Sequence, residues 1–191
     1  MTISFRVIIY LYYKTKKNNQ KVYFFVMHNF KIMKEVESLN GVPGLLRPFK
    51  KYVEDAGFPD NSQIVFYGCP GTCLPFVELI AYAIRKLPVE VVFVPYLDEE
   101  KAVKLKMFEN IGAQADIAVE KLDPKLTVLM GGLAMQNIPV TSGDAKETVA
   151  KYDAKTVGIC FMSIFDKEGW TDTVGFDMLI DASMYQIKVF R

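Results

Sequence analysis

Residues 63–94, QIVFYGCPGTCLPFVELIAYAIRKLPVEVVFV, decide the fold class of this chain. Gln63–Tyr67 is a short run of strand-forming residues, and Val89–Val94 is a second one. The segment between them, Leu74–Leu87, is long enough for a helix and has apolar residues on all sides, which predicts a mostly buried helix. A strand, a helix and a strand in this order predict two parallel strands joined by a crossover helix.

The same alternation extends over the chain from residue 31. We predict further helices at Met33–Leu39, Leu45–Ala56, Asp98–Ile111 and Ala145–Tyr152, the last opened by a capping box of Asp144 and Glu147. We predict further strands at Asp116–Val119, Leu126–Met130, Thr156–Met162 and Phe176–Asp181, and a half-exposed edge strand at Tyr185–Phe190. This pattern indicates an α/β fold, a mostly parallel Rossmann-like or flavodoxin-like three-layer sandwich of about five to six strands with an N-terminal extension.

Residues 1–30 differ from the rest in composition. They contain five basic residues and no acidic one, whereas the other 161 residues hold 18 basic and 22 acidic side chains. Two β-branched and aromatic runs, residues 3–13 and 22–27, flank the polar residues 14–21, which predicts a hairpin. The alternative is that translation begins later, at Met27 or Met33. On either interpretation we expect a basic and apolar extension at 1–30 and a single α/β domain at 31–191.

Charge and histidine content exclude several classes of function. The mildly acidic main domain has no basic footprint for nucleic acid, so we expect no nucleic-acid partner. His28 is the only histidine of the chain and lies in the extension. The main domain therefore cannot build a Ser-His-Asp triad, a Cys-His pair or a histidine-ligated zinc site. Carboxylates between Asp166 and Asp181 match no calcium-loop pattern, and we predict no metal site.

The apolar runs and the cysteines indicate a location. Neither N-terminal run reaches the ~20 apolar residues that a membrane-spanning helix needs, so we expect no membrane partner. Three cysteines are too few, and odd in number, for a disulfide framework. They are typical of a reducing compartment, and we expect a cytoplasmic protein.

Glycine-rich segments follow two of the predicted strands. In an open α/β sheet, ligands bind beyond the carboxyl ends of the strands, where glycine lets the backbone approach them closely. We therefore predict a site for a small ligand, of nucleotide or coenzyme type, formed by Gly68, Cys69, Gly71, Thr72, Cys73, Gly131, Gly132 and Ser163. The string GCPGTC matches neither the dinucleotide-binding nor the Walker pattern, so the cofactor is unknown from the sequence.

The pair Cys69 and Cys73 suggests a second chemistry. Cys73 precedes a predicted helix, and a helix N-terminus lowers the pKa of a thiol. Cys73 is therefore a candidate catalytic nucleophile or redox thiol, with Cys69 as its partner. The alternative is that both are buried core residues, as free cysteines commonly are. The third cysteine, Cys160, lies in the middle of an apolar strand, where burial is the simpler interpretation.

Three segments of the chain resemble a known family. They are GCPGTCLPFVEL at residues 68–79, MGGLAM at 130–135 and GICFMS at 158–163. In these segments the chain resembles an uncharacterised archaeal family known chiefly from methanogens, and the resemblance covers roughly residues 39–191. It implies a small α/β domain and no established activity, and it supplies no catalytic residues.

Three hypotheses for the function follow from the sequence. The first is a cytoplasmic α/β domain that binds a small ligand at the carboxyl edge of its sheet. The second is a cysteine-dependent enzyme or redox protein that uses Cys73 with Cys69. The third is a regulatory or interaction protein, for example a homodimer, that pairs through the edge strand Tyr185–Phe190 or through the N-terminal apolar runs. The sequence leaves open whether the protein is an enzyme.

Overall fold

The computed structural model describes residues 4–14, 21–31, 33–185 and 187–191, which fall into two compact units, Met1–Glu37 and Ser38–Arg191. The strands are β1 (Ser4–Lys14), β2 (Lys21–Lys31), β3 (Ser62–Gly68), β4 (Val89–Pro95), β5 (Val103–Phe108), β6 (Gly112–Ala118), β7 (Pro124–Met130), β8 (Lys155–Phe161) and β9 (Met178–Ala182). The helices are α1 (Gly41–Ala56), α2 (Leu74–Ile84), α3 (Ser142–Val149), α4 (Ile164–Lys167) and α5 (Trp170–Thr173). Among the described residues, no helix is long and apolar enough to cross a bilayer.

The first unit is an antiparallel pair of strands. β1 and β2 pair along their whole length, with Ser4 opposite Lys31 and Lys14 opposite Lys21. The two runs that we predicted as extended lie largely within these strands, because β-branched and aromatic residues favour extended backbone. Residues 15–20, the centre of the predicted polar connection, lie outside the described residues.

The second unit contains one seven-stranded sheet with the order β6-β5-β4-β3-β7-β8-β9. Five neighbouring strands are parallel to one another, in the order β4-β3-β7-β8-β9. Beyond β4, β5 and β6 extend the sheet with antiparallel pairing. A mostly parallel α/β sheet is confirmed, although it has seven strands rather than five to six. The chain passes from β3 to β4 on one side and then adds β7 on the other. The strand order therefore reverses between β3 and β7.

The two additional strands replace a predicted helix. The prediction of a helix at Asp98–Ile111 is wrong, because a short 3-10 turn at Glu99–Lys101 leads into β5. The sequence of β5, VKLKMF, alternates apolar and basic residues with the period of two that is typical of a strand. A tight turn with positive φ at Asn110 and Gly112 then returns the chain as β6, which includes most of the predicted short strand at residues 116–119.

Helices cover both faces of the sheet and form two cores. Ile64 and Phe66 of β3 pack with α1 and α2 on the first face. Val65 and Tyr67, which point the other way because strand side chains alternate, pack with α3, α4 and α5 on the second face. This arrangement is the three-layer sandwich that we predicted.

Helix α1 begins earlier than predicted, and the helix predicted before it is absent. Residues 33–40 have no regular structure, and the apolar side chains of Met33–Leu39 are exposed. A short helix without a buried face is marginal in water, so these residues gain nothing from helical structure. In α1, by contrast, Leu45, Phe49 and Val53 recur every four residues and form a buried face.

The capping box of α3 lies one helical turn before the predicted one. The Thr141 hydroxyl accepts a hydrogen bond from the Asp144 amide at 3.1 Å, and the Asp144 carboxylate accepts one from the Thr141 amide at 2.9 Å. The pair is thus Thr141 with Asp144, not Asp144 with Glu147. The helix begins at Ser142 because the chain satisfies its first free amides there.

The C-terminal tail follows β9 and is not a strand. Residues 183–185 and 187–191 have no regular structure and are exposed, so the predicted edge strand at Tyr185–Phe190 is wrong for the described residues. A strand needs a neighbour for its backbone hydrogen bonds, and alternation of side chains alone does not supply one. The outer strand on this side is β9. The hypothesis of pairing through Tyr185–Phe190 loses the strand on which it depended.

Candidate functional site

The loop Gly68–Cys73 connects β3 to α2 as a tight turn. The Cys73 amide donates to the Cys69 carbonyl oxygen at 2.9 Å. The Cys73 carbonyl oxygen in turn accepts from the amides of Phe76 and Val77 at 3.0 Å each, and Pro75 has no amide hydrogen. These three amides are used within the turn, and Pro70 and Pro75 have no amide hydrogen, so five positions of residues 70–77 offer no donor to a phosphate.

Gly132 lies where this loop packs against the end of β7. A Cβ atom on Gly132 would overlap the Cys73 sulfur and would stand 3.1 Å from the Thr72 hydroxyl and 3.4 Å from the Cys69 sulfur. Cys69 Sγ also donates to the Gly132 carbonyl oxygen at 3.2 Å. The space of a side chain at position 132 is thus already filled. Glycine is required here because two chain segments touch.

Two other glycines of the predicted site also permit close packing, whereas one does not. A Cβ atom on Gly68 would stand 2.7 Å from the Cys73 Cβ, and one on Gly131 would stand 2.6 Å from the Cys160 Cβ. Gly71 differs, because a Cβ atom there would meet nothing within 4 Å. Gly71 is therefore open to solvent and is the glycine most accessible to a ligand.

Ser163 follows β8 and is held by Asp181, the fourth residue of the neighbouring strand β9. The Ser163 amide donates to Asp181 Oδ1 at 2.9 Å, and the Ser163 hydroxyl donates to Asp181 Oδ2 at 2.5 Å. Cys160 Sγ donates to the same Oδ1 at 3.5 Å. Asp181 was absent from the predicted site, although a carboxylate at the end of an apolar strand was a signal that it has polar partners there.

The predicted site residues lie along one edge of the sheet but not in one cluster. Between β3 and β7 the structure brings together Gly68, Cys69, Thr72, Cys73 and Gly132. Gly131 adjoins Cys160 on β8, and Ser163 lies beyond β8 with Asp181. The predicted residues follow the carboxyl ends of three adjacent strands, β3, β7 and β8, and Asp181 of β9 adjoins them.

The three cysteines are buried free thiols. Burial, together with the adjoining Cys73 thiol, raises the pKa of Cys69 to about 11. Burial is also the main cause that raises the pKa of Cys160 to about 12. Both of these groups are protonated thiols at neutral pH, so neither is an activated nucleophile.

Backbone strain is concentrated at the same edge. Tyr96 after β4 has φ 56°, and Met162 and Ser163 after β8 both have φ 58°. This left-handed conformation costs free energy in residues other than glycine and asparagine, and it persists only where surrounding bonds hold it. The Tyr96 amide donates to the Gly68 carbonyl oxygen at 2.8 Å, and the Met162 amide donates to the Ala182 carbonyl oxygen at 3.0 Å. Strain held in this way is typical of functional sites.

A carboxylate with two tyrosines, which sequence reasoning missed, lies on the second face of the sheet. The hydroxyls of Tyr67 and Tyr152 donate to Glu99 Oε1 at 2.9 and 3.0 Å, and Lys151 Nζ lies 3.1 Å from Glu99 Oε2. Tyr67 is fully buried in β3. A tyrosine inside a buried strand was a signal, because its hydroxyl must find a partner. The network ties the turn after β4 to the end of α3.

Alkaline pH is expected to weaken the fold through Tyr67. Burial first, and then the charge of Glu99, raise the pKa of Tyr67 above its ordinary value of ~10. Above pH ~10 the Tyr67 hydroxyl has lost its proton in the unfolded chain but keeps it in the folded chain. The free energy of unfolding therefore falls as pH rises, by up to about 1.4 kcal/mol per pH unit for this group. In urea unfolding between pH 9 and 11.5, Tyr67→Phe should therefore show a shallower decline than the wild type. The same change at the exposed Tyr185 should leave the slope unaltered, and equal slopes for all three proteins would contradict the assignment.

Other features of the surface lie away from the glycine-rich loops. A cavity of about 190 Å³ opens at the end of α2, where it is lined by Ile84, Arg85, Glu90 and Lys104, among others. It lies near the amino ends of β3 and β4, at the opposite edge of the sheet. Among the described residues, no group of three or more histidine, cysteine or acidic side chains is arranged to hold a metal ion.

Proteins similar to this chain occur in archaea. A protein of Methanocaldococcus jannaschii is 37% identical over 156 residues, which cover 81% of this chain and 93% of that protein. A protein of Methanothermobacter thermautotrophicus is 32% identical over 155 residues, which cover 80% of this chain and 95% of that protein. The crystal structure of a protein of unknown function from Methanothermobacter thermautotrophicus superposes with a TM-score of 0.74 at 31% identity, covering 84% of this chain and 99% of that chain.

The family model that matches this chain covers residues 40–185, which include the three segments quoted above. The resemblance to an archaeal family found in methanogens is thereby confirmed. The chain belongs to the family described as "Uncharacterized protein conserved in archaea (DUF2124)".

Proposed function

We propose that this protein binds a small molecule at the carboxyl edge of its sheet, across the point between β3 and β7 where the strand order reverses. Ligands of open α/β sheets bind at such points. The observation that supports the proposal most directly is the left-handed backbone of Tyr96, Met162 and Ser163 on both sides of this point. In the proposed site Gly71 and Thr72 are exposed to the ligand, while the packed glycines hold the loops beneath it.

Side chains around this edge favour a flat and partly apolar ligand. Tyr96, Met135 and Met162 are exposed there. Tyrosine rings and methionine thioethers make favourable contacts with aromatic rings. β3 and β7 lie between β4 and β8. Three inter-strand spacings of ~4.8 Å therefore place β4 and β8 about 14 Å apart. This span suits a molecule of nucleotide or coenzyme size whose ring contacts these side chains.

Gly71→Phe is expected to abolish this binding without unfolding the chain. Nothing lies within 4 Å of a Cβ atom at Gly71, so a phenyl ring fits there and occupies the space of the ligand. The wild-type chain is incubated with a protein-free small-molecule extract of methanogen cells and examined by native mass spectrometry. We expect a retained mass on the wild type and at least tenfold lower occupancy on the variant.

Gly175→Phe is the matched control for this experiment. A Cβ atom at Gly175 also meets nothing within 4 Å, but this residue precedes β9 and so lies at the amino edge of the parallel sheet. It should retain the same mass as the wild type. Binding that is equally strong in Gly71→Phe, or the lack of any retained mass on the wild type, would refute the proposed site.

We further infer that the protein works in the cytoplasm. Its three cysteines are all free thiols, and free thiols are typical of a reducing compartment. Fractionation of methanogen cells followed by mass spectrometry of tryptic peptides should find the protein in the soluble fraction, and recovery with the cell envelope would contradict this location.

A further inference from the structure

The two cysteines of the loop Gly68–Cys73 form a buried dithiol. Both sulfur atoms lie within 3.4 Å of one point, the position at which Gly132 would have a Cβ atom. The hydrogen bond of 2.9 Å from the Cys73 amide to the Cys69 carbonyl oxygen keeps both residues on a single turn. Because position 132 has no side chain, both sulfurs border the space beside its α-carbon.

We propose that Cys69 and Cys73 form a reversible intramolecular disulfide, which makes this loop a redox-responsive element of the carboxyl edge. A disulfide requires two sulfurs that reach each other with little movement of the backbone, and convergence on one point meets that requirement. Cys160 does not take part, because it packs against Gly131 and donates to Asp181. This proposal goes beyond ligand binding and does not depend on it.

A low-molecular-weight disulfide supplies the oxidising equivalents. One thiolate of the loop attacks a sulfur of this disulfide, which breaks the S–S bond, forms a mixed disulfide and releases one small thiol. The second thiolate of the loop then attacks the protein sulfur of the mixed disulfide, forms the Cys69–Cys73 bond and releases a second small thiol. The protein loses two electrons and two protons, and the small disulfide gains both. A dithiol reductant reverses the exchange.

Access and pH determine how fast this exchange runs. Residues 70–72, between the two cysteines, are exposed, so opening of this loop uncovers both sulfurs. Thiolate is the attacking form, and burial keeps Cys69 protonated at neutral pH with a pKa of about 11. When Cys69 is the attacking thiol, we therefore expect exchange to be slow at neutral pH and faster as pH rises toward 11.

Oxidation changes hydrogen bonding at the end of β7. The Gly132 carbonyl oxygen accepts from Cys69 Sγ at 3.2 Å and from the Met135 amide at 3.2 Å. Formation of the disulfide removes the hydrogen that Cys69 donates. The loop that presents Met135 to solvent therefore differs in its contacts between the reduced and the oxidised protein.

Redox titration of the full chain tests the disulfide. The protein is purified without oxygen, equilibrated in buffers with stepwise ratios of reduced to oxidised glutathione from both the reduced and the oxidised side, and then denatured and alkylated. Mass spectrometry should count three alkylated cysteines in reducing buffer and one, Cys160, in oxidising buffer. The equilibrium constant for disulfide formation should be at least tenfold larger in the folded chain than in the chain unfolded in urea.

Cysteine variants provide the controls. In Cys160→Ser, oxidation should protect both remaining cysteines from alkylation, at the same glutathione ratio that oxidises the wild type. Cys69→Ser and Cys73→Ser should form no intramolecular disulfide. Three results would overturn the proposal. They are three alkylated cysteines in oxidising buffer, a disulfide that includes Cys160, and an equilibrium constant for disulfide formation that is no larger in the folded chain than in the unfolded one. None of these measurements requires a ligand, so this result and the ligand-binding result are independent.

Discussion

Gly131→Ala is expected to lower the free energy of unfolding by about 3 kcal/mol, because overpacking of this kind forces the backbone to move. The new Cβ atom would stand 2.6 Å from the Cys160 Cβ and 2.9 Å from the Cys160 Cα. A Cα atom cannot rotate away, so β7 and β8 would have to separate locally. Urea unfolding followed by circular dichroism measures the change. Gly71→Ala, made at an open position, should alter stability by less than about 0.5 kcal/mol.

A double-mutant cycle at the neighbouring glycine tests the same explanation. In Gly132→Ala the added Cβ overlaps the Cys73 sulfur, which Cys73→Ala removes. The two changes together should therefore cost at least about 1 kcal/mol less than the sum of the single changes, as expected for residues in contact. For Gly131→Ala no side-chain truncation offers this relief, because part of the clash is with backbone. If the two changes were strictly additive, contact between position 132 and Cys73 would not be the cause of the lost stability in Gly132→Ala.

Phe165→Ala is expected to destabilise the fold by about 4 kcal/mol. Phe165 is 0% exposed and stacks on Trp170 at 5.2 Å and on Phe176 at 5.3 Å between ring centroids. Truncation leaves a cavity among aromatic rings of the second core, where little can collapse to fill it. Trp170 is the only tryptophan of the chain, so its fluorescence reports the unfolding of this core during a urea titration.

Phe190→Ala is the matched comparison for this truncation. The chemical change is identical, but Phe190 is 86% exposed in the C-terminal tail. We expect a change of less than about 0.5 kcal/mol there, since surface substitutions rarely exceed this value. Similar losses at the two positions would mean that the tail packs in solution, or that the second core is looser than the structure indicates.

Glycine-rich loops were the basis of the predicted site, and the structure divides their glycines into two kinds. Gly68, Gly131 and Gly132 permit close packing between the loops and neighbouring strands, whereas Gly71 is open. The sequence could not separate the two kinds, because the atoms that crowd a glycine belong to residues distant along the chain. Gly71 is therefore the position at which binding can be tested without disturbing the fold.

The sequence predicted that the segments of the candidate site share one edge of the sheet, but it did not predict their contacts. The segments after β3, β7 and β8 were expected to meet because the carboxyl ends of parallel strands lie at one edge. The partners that hold them were not predicted: Asp181 binds Ser163, and Glu99 binds Tyr67 and Tyr152. Each partner is a carboxylate at or beyond the end of a different strand, and the order of those strands is a property of the sheet that local sequence does not encode.

Local sequence by itself determined the α/β class of this protein, the strands Gln63–Tyr67 and Val89–Val94, and a helix between them. The prediction that this helix is mostly buried is wrong, because it buries one face, with Val77, Ile80 and Ile84, and exposes Leu79 and Tyr82 on the other. Composition and periodicity suffice for these elements because each buries residues that are close together along the chain. Only the tertiary structure decided that Val103–Phe108 is a strand and that Tyr185–Phe190 is not. The first of these segments finds β4 and β6 as hydrogen-bonding neighbours, whereas the described residues of the second are exposed. Alternating side chains make a strand stable only where another strand satisfies the backbone, and that neighbour is supplied by the fold.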